Sequence, residues 1–495
     1  MKLKLKKLVF DAGNPIVFLN RKQAQKLNVH IGDRVEVSAN SQKVISVADI
    51  FKGFLADHEV ALSEEAVEHL KIKTRDVVEL RLALNPKSDR FIMKKVQGKQ
   101  LKKDEIWTII KDIVDNSLTE AEISYFVSGV AARGMTLKET IYLTEAMYKT
   151  GETIKWRREK IADKHSIGGI PGNRTTPIVV SICASAGIII PKTSSRAITS
   201  AAGTADVIET ISPVDLSIST LKKVVKKTGA CLAWNGSFAL SPADDKLIRV
   251  EKMLDLDPKS QLIASILSKK LAVGSKYVLI DIPYGRGAKV SKKEAKDLKS
   301  KFNLLGKHFG LKVKAVLTDG SQPIGNGIGP VLEMKDILKV LKQKKDNYYP
   351  QALETKSIFL AGELIEMLGK AKKGEGKARA LSLLESGKAF DKFKQIINAQ
   401  GGLIDERKLV EARKTYEFRA PHSGNIKRID NKEIGRLGRI LGCPSSKSAG
   451  IYLFKHVGDK IEKNETILKV FSESDRKLKE AKQILKSIKI IDIER

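Results

Sequence analysis

The opening segment of the chain is written twice. Leu19, Leu27, Val29, Asp33, Val35 and Val37 are echoed, at one constant offset, by Leu62, Leu70, Ile72, Asp76, Val78 and Leu80. Each copy predicts a strand, a short helix, a turn at the aspartate, and a strand whose apolar residues alternate. A unit this small cannot bury its own apolar face, so the two copies are expected to interlock into one pseudo-twofold barrel over residues 1–84. The alternation of apolar and basic residues over 1–8 reads as its first strand and not as a signal peptide. Asn85-Pro86-Lys87-Ser88 reads as the linker that ends it.

A chain of 495 residues needs more than one core. A helical pattern covers 90–155 and 244–272, where Leu118-Thr119-Glu120 followed by Ile123, Phe126, Val127 and Val130 predicts a capped amphipathic helix. Over 156–243 and 273–412, short apolar strands (187–191, 277–283, 313–317) alternate with Gly-rich turns and helices, which predicts an α/β domain. Residues 416–495 predict a small β-rich C-terminal domain ending in a basic helix near 475–490. The expected fold class is therefore multidomain α/β and α+β: an N-terminal barrel with the texture of a double-psi β-barrel, a helical domain, a central α/β domain and a C-terminal β-rich domain.

Charge narrows the partners. There are 90 Lys and Arg against 58 Asp and Glu, a net +32, a field that concentrates anions. Aromatics make up 5% of the residues and are not interleaved with the lysines, which speaks against a nucleic-acid stacking surface. No run approaches the ~18 apolar residues of a membrane helix. Cys183, Cys231 and Cys443 are widely spaced and without metal-ligand pattern, so a reducing compartment, the cytoplasm, is expected.

Three segments carry chemistry. Asp163-Lys164-His165-Ser166-Ile167-Gly168-Gly169 runs through Pro171-Gly172-Asn173-Arg174 to Thr175-Thr176, placing a lysine, hydroxyls and glycines just before a predicted helix. Backbone N–H groups there can face an oxyanion, with Lys164 as a point charge. By itself the segment also suits a Gly-rich turn with a solvated lysine. The second segment follows the strand 188–190: Ser194, Ser195, Arg196, Thr199, Ser200 and Thr204 gather where ligands of α/β sheets collect. That is more hydroxyl than a helix cap needs. The third is the helix opened by Asp257-Pro258, with Leu262, Ile266 and Leu271 on one face and Asp257, Gln261, Ser265 and Lys269 on the other. Pattern alone makes Asp257 an N-cap and that polar stripe solvent-exposed.

Lys164-His165-Ser166-x-Gly168-Gly169, then Pro191-Lys192-x-Ser194-x-Arg196, Gly203-Thr204, the stretch 264–271 and Val457-Gly458-Asp459 resemble, in order, the pyrimidine nucleoside phosphorylase family over about 95–475. The hydroxyl-rich loop, Lys289 at the end of Gly285-Arg286-Gly287-Ala288-Lys289 and the added barrel are similar to that family's archaeal AMP phosphorylase branch. The resemblance implies that phosphate converts AMP, with CMP and UMP, into free base and ribose 1,5-bisphosphate, with no cofactor and no metal. It implies phosphate contacts at Lys164, Ser166, Thr176, Ser194 and Thr204. AMP contacts are implied at Gly169, Ser195, Arg196, Ala197, Ile198, Thr199, Ser200, Thr204, Ser265 and Lys289. Asp257 is implied as the proton donor, partly desolvated when the helical and α/β domains close, and His165 is the next candidate acid. A 5′-phosphate is a second anion, and the hydroxyls of Ser195, Thr199 and Ser200 with the Lys289 ammonium suit it. The branch also implies a homodimer or a larger homo-oligomer built through the N-terminal domain. The alternatives are a pyrimidine nucleoside phosphorylase, an enzyme similar to anthranilate phosphoribosyltransferase, whose metal-pyrophosphate site the sequence does not display, and a basic nucleic-acid-binding protein.

Overall fold

The computed structural model describes residues 1–6, 8, 10–157, 160–197 and 200–494. It forms two compact units, Met1–Gly151 with Ser241–Ser265, and Glu152–Leu240 with Ile266–Arg495.

The first unit opens with β1 (Lys2–Leu5), β2 (Ile16–Leu19), α1 (Arg21–Leu27), β3 (Arg34–Ala39), β4 (Gln42–Ile50), β5 (Glu59–Leu62), α2 (Glu64–Leu70) and β6 (Val77–Leu82). The six strands close a barrel in the order β1-β5-β2-β4-β3-β6. The repeat is larger than the sequence signal, because β1 is the counterpart of β4. Leu5 pairs with Val60 as Ala48 pairs with Val17, and Lys2 pairs with Glu79 as Ile45 pairs with Glu36. Equivalent residues of the two copies face each other directly, Phe18 opposite Ala61 and Val37 opposite Leu80, so the pseudo-twofold axis runs through these pairs. Each short helix ends in a left-handed residue, Asn28 or Lys71. Each following turn is closed by its aspartate, Asp33 accepting from the His30 N–H at 2.7 Å and Asp76 from the Lys73 N–H at 2.8 Å. Alternation sends Val17, Leu19, Val35, Val37, Val60, Leu62, Val78 and Leu80 inward.

Helices α3 (Asp89–Val96), α4 (Lys103–Val114), α5 (Glu120–Arg133) and α6 (Leu137–Lys149) follow. Thr119 and Thr136 cap α5 and α6 with reciprocal glutamate bonds, as the sequence before α5 predicts. Ile106, Ile109, Phe126, Val127 and Leu143 pack with Leu247, Val250 and Ala264 from the second segment of the unit. Ion pairing of Arg34 with Glu122 ties the barrel to these helices.

The chain then runs through β7 (Ala162–Ser166), α7 (Thr175–Ser185), β8 (Ile190–Ser194), α8 (Thr204–Ile208), α9 (Ile218–Thr228) and β9 (Ala230–Trp234). It returns to the first unit with α10 (Pro242–Leu254) and the start of α11 (Lys259–Val273). In the second unit again, β10 (Tyr277–Tyr284), α12 (Lys292–His308) and β11 (Lys312–Asp319) complete the parallel sheets β11-β10-β7 and β8-β9. A parallel bridge between Ile161 and Ile189 joins the two sheets beside β7. Strand order therefore departs from β7 in both directions, and the carboxyl ends of β7, β8 and β10 share one edge, the arrangement at which α/β sheets take ligands.

After β12 (Gly327–Ile328), helices α13 (Pro330–Leu341), α14 (Gln351–Met367), α15 (Gly376–Glu385) and α16 (Lys388–Ala399) cover the sheet around a core that includes Ile178, Ile182, Met334, Leu364 and Phe393. The last segment holds β13 (Lys414–Arg419), β14 (Gly424–Ile429), α17 (Asn431–Leu441), β15 (Gly450–Leu453), β16 (Lys460–Ile461), β17 (Thr466–Ser472), α18 (Asp475–Ser487) and β18 (Ile491–Glu494). Two expectations are corrected here. The basic helix is followed by β18, which pairs with β14, and the C-terminal sheet recruits β12 from the central segment. Among the described residues no helix is long and apolar enough to cross a membrane.

Candidate active site

Charges are buried beneath the shared carboxyl edge. Asp163 on β7 lies between the ammoniums of Lys192 (3.2 Å) and Lys270 (2.7 Å), and Asp281 on β10 lies 3.2 Å from Lys356. Burial alone would raise both carboxyls, but the neighbouring ammoniums outweigh it and hold them below the ordinary aspartate value. Lys164, on β7 beside Asp163, is 1% exposed and donates to the hydroxyls of Thr175 (2.7 Å) and Thr176 (3.4 Å) at the start of α7. Burial pulls its ammonium down to about 8, and burial with the nearby lysines pulls Lys270 to about 7. Four buried lysines against two buried aspartates leave this floor short of negative charge, a setting an anion would relieve.

The first loop, 167–174, follows β7. Ser166 is half-buried and accepts weakly from the Gly168 N–H and the Asn173 amide. Gly169 has φ +90, and a Cβ there would stand 2.6 Å from Cγ of Lys289. Two residues that the resemblance assigns to AMP therefore lie against each other, the Lys289 chain crossing the loop where only glycine leaves room. Arg174 closes the loop with bonds to Glu333 (2.6 Å), Thr204 Oγ1 (3.0 Å) and the Ala202 carbonyl (2.6 Å). It thereby fastens the end of the first loop to the second loop and to α13.

That second loop, from Ser194 to Thr204, is braced from within. Asp206 on α8 accepts from the Ala197 N–H (2.7 Å) and the Gly203 N–H (2.8 Å). Gly203 packs backbone to backbone, since a Cβ would stand 2.4 Å from the Arg196 carbonyl carbon. Ser195 is exposed and Ser194 and Ser200 are half-buried, with Ser194 bonded to the Ala233 carbonyl (3.4 Å) and Ser200 to that of Ala202 (3.0 Å). Arg196, which the resemblance assigns to AMP, is engaged by carboxylates of the same segment. Its guanidinium is paired with Glu209 (2.6 Å) and Asp206 (3.2 Å) and lies 4.9 Å from the Trp234 ring, and the Glu209 carboxyl is held at about 2 by Arg196. The Ala197 N–H is likewise committed to Asp206, so Arg196 and Ala197 shape the loop. Ile198 and Thr199 lie outside the described residues.

Asp257 and Ser265 belong to the first unit. The Pro258 carbonyl accepts the first helical bond of α11, from Leu262 at 2.9 Å, so Asp257 stands ahead of the helix and not at its cap, and its side chain is exposed. The expected two-faced pattern of α11 also fails. Gln261 is 2% exposed while Leu262 and Leu271 are half-exposed, because the helix is buried on most sides and carries polar residues inward, Lys270 reaching Asp163. His165, the next candidate acid, sits where burial and the ammoniums of Lys270, Lys192, Lys269 and Lys164 push its imidazole well below the ordinary histidine value, which disfavours its charged form.

Sequence reasoning gave no role to Arg174, Glu333, Asp206 or the buried Asp163, Lys192, Lys270, Asp281 and Lys356. A signal existed for some: Asp281 inside Val278-Leu279-Ile280-Asp281-Ile282 and Lys192 after Ile188-Ile189-Ile190-Pro191 are charges within apolar runs, which demand buried partners.

Residues 89–151 match the helical bundle domain of the glycosyl transferase family, 158–390 the a/b domain of that family, and 425–491 the pyrimidine nucleoside phosphorylase C-terminal domain. The chain is 43% identical over 498 residues to an AMP phosphorylase of Pyrococcus furiosus, covering 100% of this chain and 98% of that protein. It is 43% identical over 494 residues to an AMP phosphorylase of Methanocaldococcus jannaschii, covering 99% and 97%. Among solved structures, anthranilate phosphoribosyltransferase from Thermus thermophilus superposes with a TM-score of 0.51 at 16% identity, covering 63% of this chain and 99% of that one. That likeness is one of fold.

Proposed function

The chain belongs to the AMP phosphorylase family, and from that premise we propose that it cleaves AMP with inorganic phosphate, releasing the free base and ribose 1,5-bisphosphate. The observation that carries the reading is that the similarity to AMP phosphorylases runs the full length of the chain, barrel included. CMP and UMP are proposed as further substrates.

In the proposed reaction phosphate sits against Lys164, Ser166, Thr176, Ser194 and Thr204, above the lysine-rich floor. The donor network supports this. Thr176 and Thr204 accept from Lys164 and Arg174, which leaves each hydroxyl proton to donate outward. Ser195, Thr199, Ser200 and Lys289 hold the 5′-phosphate, with Gly169 giving Lys289 its path. A phosphate oxygen bonds to the anomeric carbon as the bond to the base nitrogen breaks. The base leaves with the electron pair, and Asp257 delivers the proton it takes up while Ser265 contacts it. Positioning and electrostatics supply the rest of the rate. The reaction takes phosphate as co-substrate and needs no cofactor.

Base release from AMP, CMP, UMP, adenosine and uridine, with and without phosphate, tests the proposal. Phosphate-dependent release from the nucleotides is expected, and equal or better turnover of adenosine or uridine would remove the nucleotide assignment. The C-terminal domain match favours a second reading, a pyrimidine nucleoside phosphorylase, and the same panel separates the two.

We also assign the barrel to the double-psi type, supported by its two parallel pairs and twofold register, and to oligomer assembly, supported by the exposed apolar Ile31, Val77, Leu82 and Leu84. An unchanged particle size by light scattering after deletion of 1–84 would give the barrel another purpose. The three free, buried cysteines suit a reducing compartment, and the cytoplasm is the proposed location.

A further inference from the structure

We propose that Arg174, seated by Glu333, is a positioning residue that fixes the spacing between the two loops; this rests on the reading above, in which those loops hold phosphate and AMP. The guanidinium meets three acceptors on two segments at once. Its Nε donates to Glu333 on α13 (2.6 Å), one terminal nitrogen to the Thr204 hydroxyl (3.0 Å), and the other to the Ala202 carbonyl (2.6 Å). Because Thr204 Oγ1 accepts from Arg174, its own proton is turned toward whatever anion lies beyond. Arg174 thus sets both the place and the polarity of a hydroxyl assigned to both substrates.

Glu333 is the anchor. It is 2% exposed and also accepts from the Gly329 N–H at 3.2 Å. Burial raises its carboxyl, and Arg174 opposes that rise. One helical turn further along α13, Asp336 accepts from the Asn326 and Gly327 N–H groups at 2.8 Å each, and in the same segment the Ile324 N–H donates to the Pro171 carbonyl of the first loop at 3.1 Å. Successive turns of α13 therefore brace the first loop, and Arg174 carries that brace across to the second. An ammonium cannot replace it, since lysine has no planar fork to reach three acceptors in divergent directions.

The test compares the parent protein with Arg174→Lys, Arg174→Ala and Glu333→Gln, reading KM for phosphate, KM for AMP, kcat, and the melting shift produced by inorganic phosphate alone. Arg174→Lys, charge retained, is expected to raise KM for phosphate and lower kcat/KM by roughly 10²-fold, the cost of misplacing bound groups by about an ångström. Added guanidinium, but not ammonium, is expected to recover part of the activity of Arg174→Ala. Parent-like KM values in folded Arg174→Lys would overturn the proposal, as would a loss in Arg174→Ala that follows the melting temperature alone and ignores guanidinium. If the parent itself does not turn over AMP, the functional reading fails separately. The phosphate-induced melting shift then decides the role of Arg174, which requires a smaller shift in Arg174→Lys than in the parent.

Discussion

The barrel and the α/β sheet solve the same packing problem with opposite materials. Among its described residues the barrel buries no charged side chain; its interior is Val and Leu with Ala24, Ala48, Ala66 and Ile72, and the uncharged Asn20, Gln23, Ser46 and Ser63 are its buried polar groups. The sheet buries Asp163, Lys164, Lys192, Lys270, Asp281 and Lys356 within one neighbourhood. An apolar interior is the cheaper way to stability, because buried ions recover their desolvation cost only with close partners. The sheet accepts that cost where anion chemistry is proposed. The barrel, with none, does not.

The largest effect that could break this contrast lies at Asp257. Asp257→Asn keeps the exposed side chain nearly isosteric but removes the proton, so turnover of AMP is expected to fall by about 10²–10⁴-fold with little change in melting temperature. Near-normal turnover of a folded variant would send the search for an acid elsewhere. Next, Leu80→Ala in the barrel is expected to cost roughly 2–5 kcal/mol of stability by denaturant titration, while turnover per folded molecule stays unchanged. A kinetic defect there would erase the division of labour between the regions.

A smaller effect sharpens the sheet's side. Since burial holds Lys164 at about 8, the cation that meets phosphate is present below that pH and lost above it. KM for phosphate should climb about tenfold per pH unit beyond it, and Lys164→Arg should flatten that climb. The smallest concerns Asp336, whose carboxyl burial pushes up to about 7. A raised carboxyl contributes most to stability below its unfolded value and loses that contribution as pH rises through the folded one. Between pH 6 and 8 the parent should therefore lose about 1 kcal/mol relative to Asp336→Asn, measurable as a difference in melting free energies.

What the sequence disclosed follows the same division. The barrel was legible because its repeat is marked by Asp33 and Asp76, residues a turn demands. The matching of β1 to β4 was not, since Lys2, Leu3 and Lys4 correspond to Ile45, Ser46 and Val47, so the two strands share which positions are buried but not which are apolar. In the sheet the loops were legible from glycines and hydroxyls, which have local meanings. The partners of the charged residues are non-local. Arg174 meets Glu333 across 159 positions, and no spacing rule reaches that far. The carboxylates that hold Arg196, Asp206 and Glu209, were likewise not read from its loop.

The register of the barrel has a consequence for how such a chain can be assembled. Residues 1–39 and 44–82 are interchangeable partners, because each edge of one half is complementary to the corresponding edge of the other. Two separate copies of one half would have the pairings needed to close the same ring, at a rate set by their concentration. Joining them in one polypeptide replaces that dependence with a fixed effective concentration of the second half at the first. It also leaves open an exchange in which two full chains trade halves, closing two mixed rings and fastening the chains together without a single new kind of contact.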